Sequence, residues 1–227
     1  MAFPEIDRLD PWRDRALARS LGPARARSVD RLERLVDAAR TLATETGSAA
    51  FTVAQVAAGA GVNLKGFYQY FASKDDLLVA LLEEDSRLGA ELVRAQVEAH
   101  TDPEERLRAA VTGALKLITW PGALGYASVL IREHRRLSES RPDELNRALA
   151  PLIDVLADEV RGSVDAGVAK AADARRVART MFALVLEAIH DVVLGRAEAL
   201  TEAEFVWEFC WHGVGCPPTS AVSEEER

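Results

Sequence analysis

Apolar positions in this chain recur at helical spacing almost throughout. From Ser28, Val29, Leu32, Val36, Ala39 and Ala43 follow one another at three- and four-residue steps, with Leu35 and Leu42 widening the stripe. Gly47 is placed to end that helix as a C′ residue. Thr52 stands where an N-cap belongs before Val53 to Gly59, and Asn63 can cap a second short helix running to Phe71. Ser73 with Asp76 three residues on resembles a capping box and opens a long helix towards His100. Further helices are predicted near 103–119, 123–139, 142–161, 173–195 and 201–212. Pro103, Pro121 and Pro142 sit at or near starts, and Pro151 predicts a kink inside 142–161. No period-2 strand and no internal repeat stands out, so the expected class is all-α.

Composition supports helices. Of 227 residues 48% are apolar but only 6% aromatic, a balance that suits close-packed helices better than strands. The ends are different in character. Residues 1–27 carry prolines 4, 11 and 23 and many arginines without a steady apolar period, which predicts a flexible arm. Residues 217–227 predict a disordered acidic tail. Two cysteines, Cys210 and Cys216, make no disulfide framework and point to a reducing, cytoplasmic setting. No stretch is apolar enough to span a bilayer, so no membrane partner is expected.

Charge changes the picture by its distribution. The net charge is −8, yet residues 1–82 hold 11 Lys/Arg against 10 Asp/Glu (+1), and 83–227 hold 17 against 26 (−9). A polyanion must therefore meet the N-terminal part. There, Phe51 to Lys74 reads as two short helices joined by the small residues Ala57, Ala58, Gly59, Ala60 and Gly61, a helix-turn-helix. Val53, Val56 and Val62 are expected to face inward onto Leu32, Val36 and Phe71. In the second helix Phe67 and Phe71 form an apolar face, leaving Lys65, Tyr68, Gln69 and Tyr70 on others. Lysine and tyrosine can bond phosphate oxygens, and glutamine can bond a base edge. Between Arg8 and Arg34 eight arginines face four acids, which suits contact with a minor groove or flanking phosphates; the alternative is a solubilising tail.

Residues 28–82, and AGVNLKGFYQYFASKDDLL (60–78) above all, resemble the DNA-binding domain of TetR-family transcriptional regulators. The resemblance implies phosphate contacts from Thr52, Tyr68, Tyr70 and Lys74, and places Leu64, Lys65, Gly66 and Gln69 near bases. Asn63 replaces the Ser or Thr common in the family, and Lys65-Gly66 replaces the usual glycine and small residue, so base preference does not carry over. It further implies an N-terminal helix-turn-helix domain (28–74) followed by a helical bundle (75–216) for ligand binding and dimerisation. The partners are then an operator on double-stranded DNA, a small-molecule effector and a second copy of the chain, with no cofactor.

In the second half, the stripe Val177, Met181, Leu184, Val185, Ile189 and Val192 is too broad for one-sided burial, and Phe205 and Phe209 add to it. A four-helix dimer interface would absorb it; the alternative is that both helices close the monomer's own core. Candidate polar groups of a ligand chamber are Trp120, Tyr126, Arg132, His134, Glu187 and His190.

Enzyme chemistry finds little purchase. Glu187-x-x-His190 lacks the second such pair that a di-iron bundle needs. Cys210, His212 and Cys216 lack a fourth zinc ligand, so no metal is expected. There is no G-x-S-x-G elbow and no phosphate-binding glycine loop after a strand. The expected function is a dimeric DNA-binding regulator, a repressor on a palindromic operator released by a small apolar or amphipathic effector. Alternatives are an activator of the same family, or a helical ligand-binding protein or enzyme with a non-functional helix-turn-helix.

Overall fold

The computed structural model describes residues 11–215; the first ten residues of the expected arm, the tail 217–227 and Cys216 lie outside them. Ten helices are described: α1 (Pro11–Thr46), α2 (Val53–Gly59), α3 (Leu64–Tyr68), α4 (Lys74–Glu98), α5 (Pro103–Leu117), α6 (Ala123–Ser140), α7 (Pro142–Ala148), α8 (Ala150–Asp165), α9 (Ala174–Val193) and α10 (Ala199–Val214). The one β-type pairing among them is an isolated bridge between Ala169 and Gly215.

Three expectations need correction. Helix α1 starts at Pro11, so residues 11–27 continue the helix expected to begin at Ser28. Alanine, arginine and leucine are strong helix formers, and their propensity acts without an apolar period; Pro11 occupies a first-turn position where its missing N–H is harmless. The third helix ends at Tyr68 rather than Phe71, with Gln69 as its C-cap. Gly66 and the aromatic residues favour a helix only weakly, and the chain turns there to bury Phe71. Finally, Pro151 marks a break rather than a kink. Helices α7 and α8 are separate, joined at Leu149, with Pro151 in the first turn of α8.

Caps fall where the sequence placed them. Thr52 and Gln55 close a capping box on α2, and Ser73 and Asp76 another on α4; the structure adds Asp102, not foreseen as a cap, which accepts from the backbone N–H groups of Glu104 and Glu105. Gly47 takes φ +61° after α1.

Helix α1 packs on α2 and α4, and α2 on α3, forming the N-terminal unit. Its core holds Leu35, Ala39, Val56 and Phe67, all fully buried. In the larger unit α5 lies against α4, α8, α9 and α10, and α9 lies against α5, α6, α8 and α10. Met181, Val185, Ile189 and Val192, expected in a dimer interface, are accordingly buried in the monomer's own core. A helix with neighbours on several sides needs apolar residues nearly all round. Val177 and Leu184 are half-buried. Phe205 and Phe209 alone of that set stay exposed, at 62% and 60%.

Candidate nucleic-acid interface and apolar cavity

Helix α3 is held by one side chain and one turn. Phe67 is fully buried, its ring 5.5 Å from that of Phe71 and edge-on to Tyr68 at 5.3 Å. Burying such a ring contributes about 1.5–3 kcal/mol, a large share for a helix of one turn and a half. The turn before it is tight. Gly61 adopts φ +67°, and a Cβ on Gly59 would stand 3.3 Å from Cβ of Ala38 on α1. Arg34 of α1 donates to the Ala60 carbonyl at 2.9 Å and so clamps the turn. Asn63 caps α3, its Oδ1 accepting from the Gly66 N–H at 2.7 Å.

With Phe67 inward, Leu64, Lys65, Tyr68 and Gln69 are exposed together, Tyr68 at 57%. Lys65, Gly66 and Gln69 line a depression of about 380 Å³ with Arg31, Gly61, Val62 and Asn63. Thr52 is exposed at the start of α2, its hydroxyl engaged with Gln55.

Tyr70 and Lys74 sit differently from the rest of the expected DNA contacts. Tyr70 packs partly against the core, and Ser28 and Arg31 of α1, close to its hydroxyl, hold its phenol below the usual tyrosine range. Lys74 donates to the Ala49 carbonyl and lies over the Phe51 ring, 4.9 Å from its centroid. Both groups, half-buried, lie against other parts of the N-terminal unit.

The larger unit contains a cavity of about 150 Å³ lined from α4, α5, α6, α8, α9 and the α7–α8 junction. Its walls are almost wholly apolar. Of the six candidate chamber residues, His134 lines it. Burial, reinforced by Arg135, holds that imidazole below its usual value and so neutral. Tyr126 stands one step behind the wall. Its hydroxyl donates to Oδ2 of Asp85 at 2.5 Å, and Asp85 itself lines the cavity. The other four fall elsewhere: Trp120 is exposed in the turn between α5 and α6, Arg132 donates to the Gly47 carbonyl at 2.6 Å, and Glu187 faces out to Arg135 at 3.0 Å. His190, near the end of α9, is not in the lining, and its Nδ1 is buried without a partner. Long polar side chains on these amphipathic helices reached solvent or neighbouring carbonyls instead.

Sequence reasoning missed Asp85, Ser86 and Arg40. Oδ1 of Asp85 accepts from Arg40 of α1 at 2.9 and 3.2 Å, so a carboxylate on the cavity wall is tied to the first helix of the N-terminal unit. Burial raises the Asp85 pKa, opposed by the Tyr126 hydroxyl and the Arg40 charge. Burial beside Asp85 also raises the Tyr126 phenol. Ser86 is buried, and its hydroxyl has no hydrogen-bond partner. An acid and a serine inside a charged helix look like surface residues in sequence; only the arrival of α1, α6 and α9 over that face marks them.

A second seam joins the units: Arg136 of α6 bridges to Asp75 at 2.6 Å, and Arg141 bonds Asp76, both acids lying in the first turn of α4. No helix of the described residues is long and apolar enough to cross a membrane, and no cluster of three or more His, Cys, Asp or Glu is placed to hold a metal among them. Cys210 is buried, which pushes its thiol up to about 11.

Known proteins match this arrangement. Residues 35–81 match the sequence profile described as "Bacterial regulatory proteins, tetR family". An uncharacterised HTH-type transcriptional regulator of Mycobacterium tuberculosis (strain ATCC 25618 / H37Rv) is 30% identical over 87 residues, 38% of this chain and 43% of that protein. The HTH-type transcriptional regulator HbdR of Aromatoleum sp. (strain CIB) is 35% identical over 82 residues, 36% of each chain. The match thus spans less than half the length of either relative. The fold extends further. The transcriptional regulator FadR from Bacillus subtilis, solved in complex with stearoyl-CoA, superposes with TM-score 0.65 at 21% identity, over 78% of this chain and 96% of that one. RolR, solved in complex with resorcinol, superposes with TM-score 0.66 at 18% identity, over 85% and 91%.

Proposed function

We propose that this chain, whose residues 35–81 match the profile of the tetR family of bacterial regulatory proteins, is a member of that family and a homodimeric transcriptional repressor that reads a palindromic operator and releases it when a small molecule enters the cavity. The observation that carries the reading is the exposed set Leu64, Lys65, Tyr68 and Gln69 on a helix whose one buried side chain is Phe67. A helix held by one inward ring and left bare of cover presents its polar side chains to a groove. In this reading Thr52, Lys65 and Tyr68 meet phosphates or flanking bases, Gln69 meets a base edge, and Leu64 and Gly66 allow close approach. Tyr70, beside α1, and Lys74, bonded to Ala49, set the pose of the head and reach phosphates only if those contacts are exchanged.

One short helix gives few contacts, and two copies double them when their spacing matches one helical turn, about 34–36 Å. Phe205 and Phe209, four apart and exposed on α10, are the apolar core of the proposed two-fold contact. The fold neighbours hold a long-chain thioester in one case and a single ring in the other, so the fold admits either kind of effector.

A mobility shift on the DNA upstream of the chain's own gene, with unrelated competitor and varied salt, tests the reading. Specific binding that falls steeply as salt rises is expected. Should no shift appear there, selection from a randomised duplex pool decides the matter, and a pool that enriches nothing overturns the proposal.

A further inference from the structure

The cavity's polar atoms specify its occupant more closely than its position does. Its walls come from residues such as Leu130, Leu152, Phe182 and Ile189, and no lysine or arginine is among the lining. A volume of about 150 Å³ is that at which an apolar cavity holds a benzene-sized ring.

Three polar side chains reach the lining: Asp85, His134 and Ser86. Both oxygens of Asp85 are already engaged, one by Arg40 and the other by Tyr126. The charge of Asp85 is therefore balanced from outside the cavity and calls for no cation within it. An anion would meet that carboxylate with no free positive charge in the lining to offset it. Ser86 is the exception. It is 2% exposed, and its hydroxyl bonds neither a side chain nor the carbonyl of the preceding turn. A buried hydroxyl left unpaired is costly, and it both donates and accepts. A ligand bringing one hydroxyl or carbonyl to this point removes the deficit.

We infer that the cavity takes an uncharged molecule about one ring in size, carrying a single hydroxyl-type group that hydrogen-bonds to Ser86. This deepens the effector reading above and rests on it for its regulatory meaning, though not for the binding itself. The class is that of simple phenols and cyclic alcohols; long acyl chains, CoA thioesters and carboxylates fall outside it.

Calorimetry and thermal unfolding of the full chain test this with four probes: phenol, toluene, benzoate and decan-1-ol. Phenol is expected to bind saturably and raise the Tm, with toluene about tenfold weaker, the ratio expected for one unpaired hydroxyl. Benzoate and decan-1-ol should bind more weakly than either. Ser86→Ala should bring the phenol-to-toluene ratio close to one. Because it removes an unsatisfied group from a helix, it should leave the Tm of the free protein unchanged or higher. An unchanged ratio in Ser86→Ala overturns the inference, as does tighter binding of decan-1-ol or benzoate, or no saturable binding of phenol. Specific DNA binding without phenol binding would sink this inference alone. Phenol binding that depends on Ser86, in a protein that selects no DNA, would keep the site and sink the regulator reading.

Discussion

The α3 head and the α4–α9 cavity solve opposite problems with the same kind of material. At the head one aromatic ring, Phe67, goes in and several polar side chains come out, all within a contiguous stretch of chain. At the cavity, apolar side chains from six parts of the chain turn towards one another and enclose a single unpaired hydroxyl. The head is made by local order, with caps at Thr52, Asn63 and Ser73 and a glycine turn at Gly61. The cavity is made by packing of elements far apart in sequence. The Arg40–Asp85–Tyr126 bonds are where the two meet, because Arg40 belongs to the first helix and Asp85 to the cavity wall. Recognition of a large polyanion needs exposed donors on a rigid short helix, whereas recognition of a small neutral molecule needs enclosure and one polar point.

The sharpest way to break this contrast is Phe67→Ala. Loss of a fully buried ring should cost the N-terminal unit about 3–5 kcal/mol and abolish DNA binding, while phenol binding to the other unit persists. Denaturant unfolding and calorimetry measure both, and joint loss would mean that the regions do not fold separately. Next in size is the outer face of α10. Replacing Phe205 and Phe209 together by alanine should weaken self-association by about 2–4 kcal/mol, read by sedimentation, and operator affinity should fall with it. A pair that leaves the oligomeric state unaltered would remove α10 from the interface.

The link between the regions comes third. In a double-mutant cycle, Arg40→Ala and Asp85→Asn should show a coupling of about 1–3 kcal/mol in stability, since the ion pair is only partly exposed to solvent. A coupling near zero would make the bond incidental and leave the two units joined by packing and the α6 arginines alone. At the head, Gln69→Ala should alter preference at one base position by about 1–3 kcal/mol. Lys65→Ala should instead lower affinity for all sequences and reduce the salt slope by about one. Binding profiles on randomised duplexes separate the two outcomes.

The smallest effect concerns His134, whose folded pKa is lowered by burial. The unfolded chain then binds a proton more readily than the folded one. Stability from this group is complete above the unfolded value of about 6.5 and declines as pH falls through it towards the folded value. His134→Gln should flatten that decline in thermal unfolding between about pH 7 and pH 5. An equal decline in the variant would assign the acid sensitivity to other groups.

The residues show why legibility differed. Thr52, Asn63 and Ser73 announce helix starts because a cap bonds backbone two or three residues away. The inward place of Phe67 and the outward place of Lys65 and Tyr68 follow from a period that is readable in a few residues. The α9 stripe was equally visible, yet its partner was not. Met181, Val185, Ile189 and Val192 could close a monomer or a dimer, and they close the monomer. Periodicity reports that a face is buried, not what buries it.

The sequence by itself determined the all-helical class, the caps at Thr52, Asn63 and Ser73, the glycine turn and the exposed side chains of α3, since each depends on backbone chemistry within a few residues. Tertiary structure decided that Tyr70 lies beside Ser28 and Arg31 of α1 and that Lys74 bonds the Ala49 carbonyl, that Arg40 reaches Asp85, and that Ser86 rather than Glu187 lines the cavity. Those outcomes turn on which helices cross over a given face. Hydrophobic burial sets that without regard to direction or distance along the chain, so a serine in a charged helix becomes a recognition group only once its neighbours have closed over it.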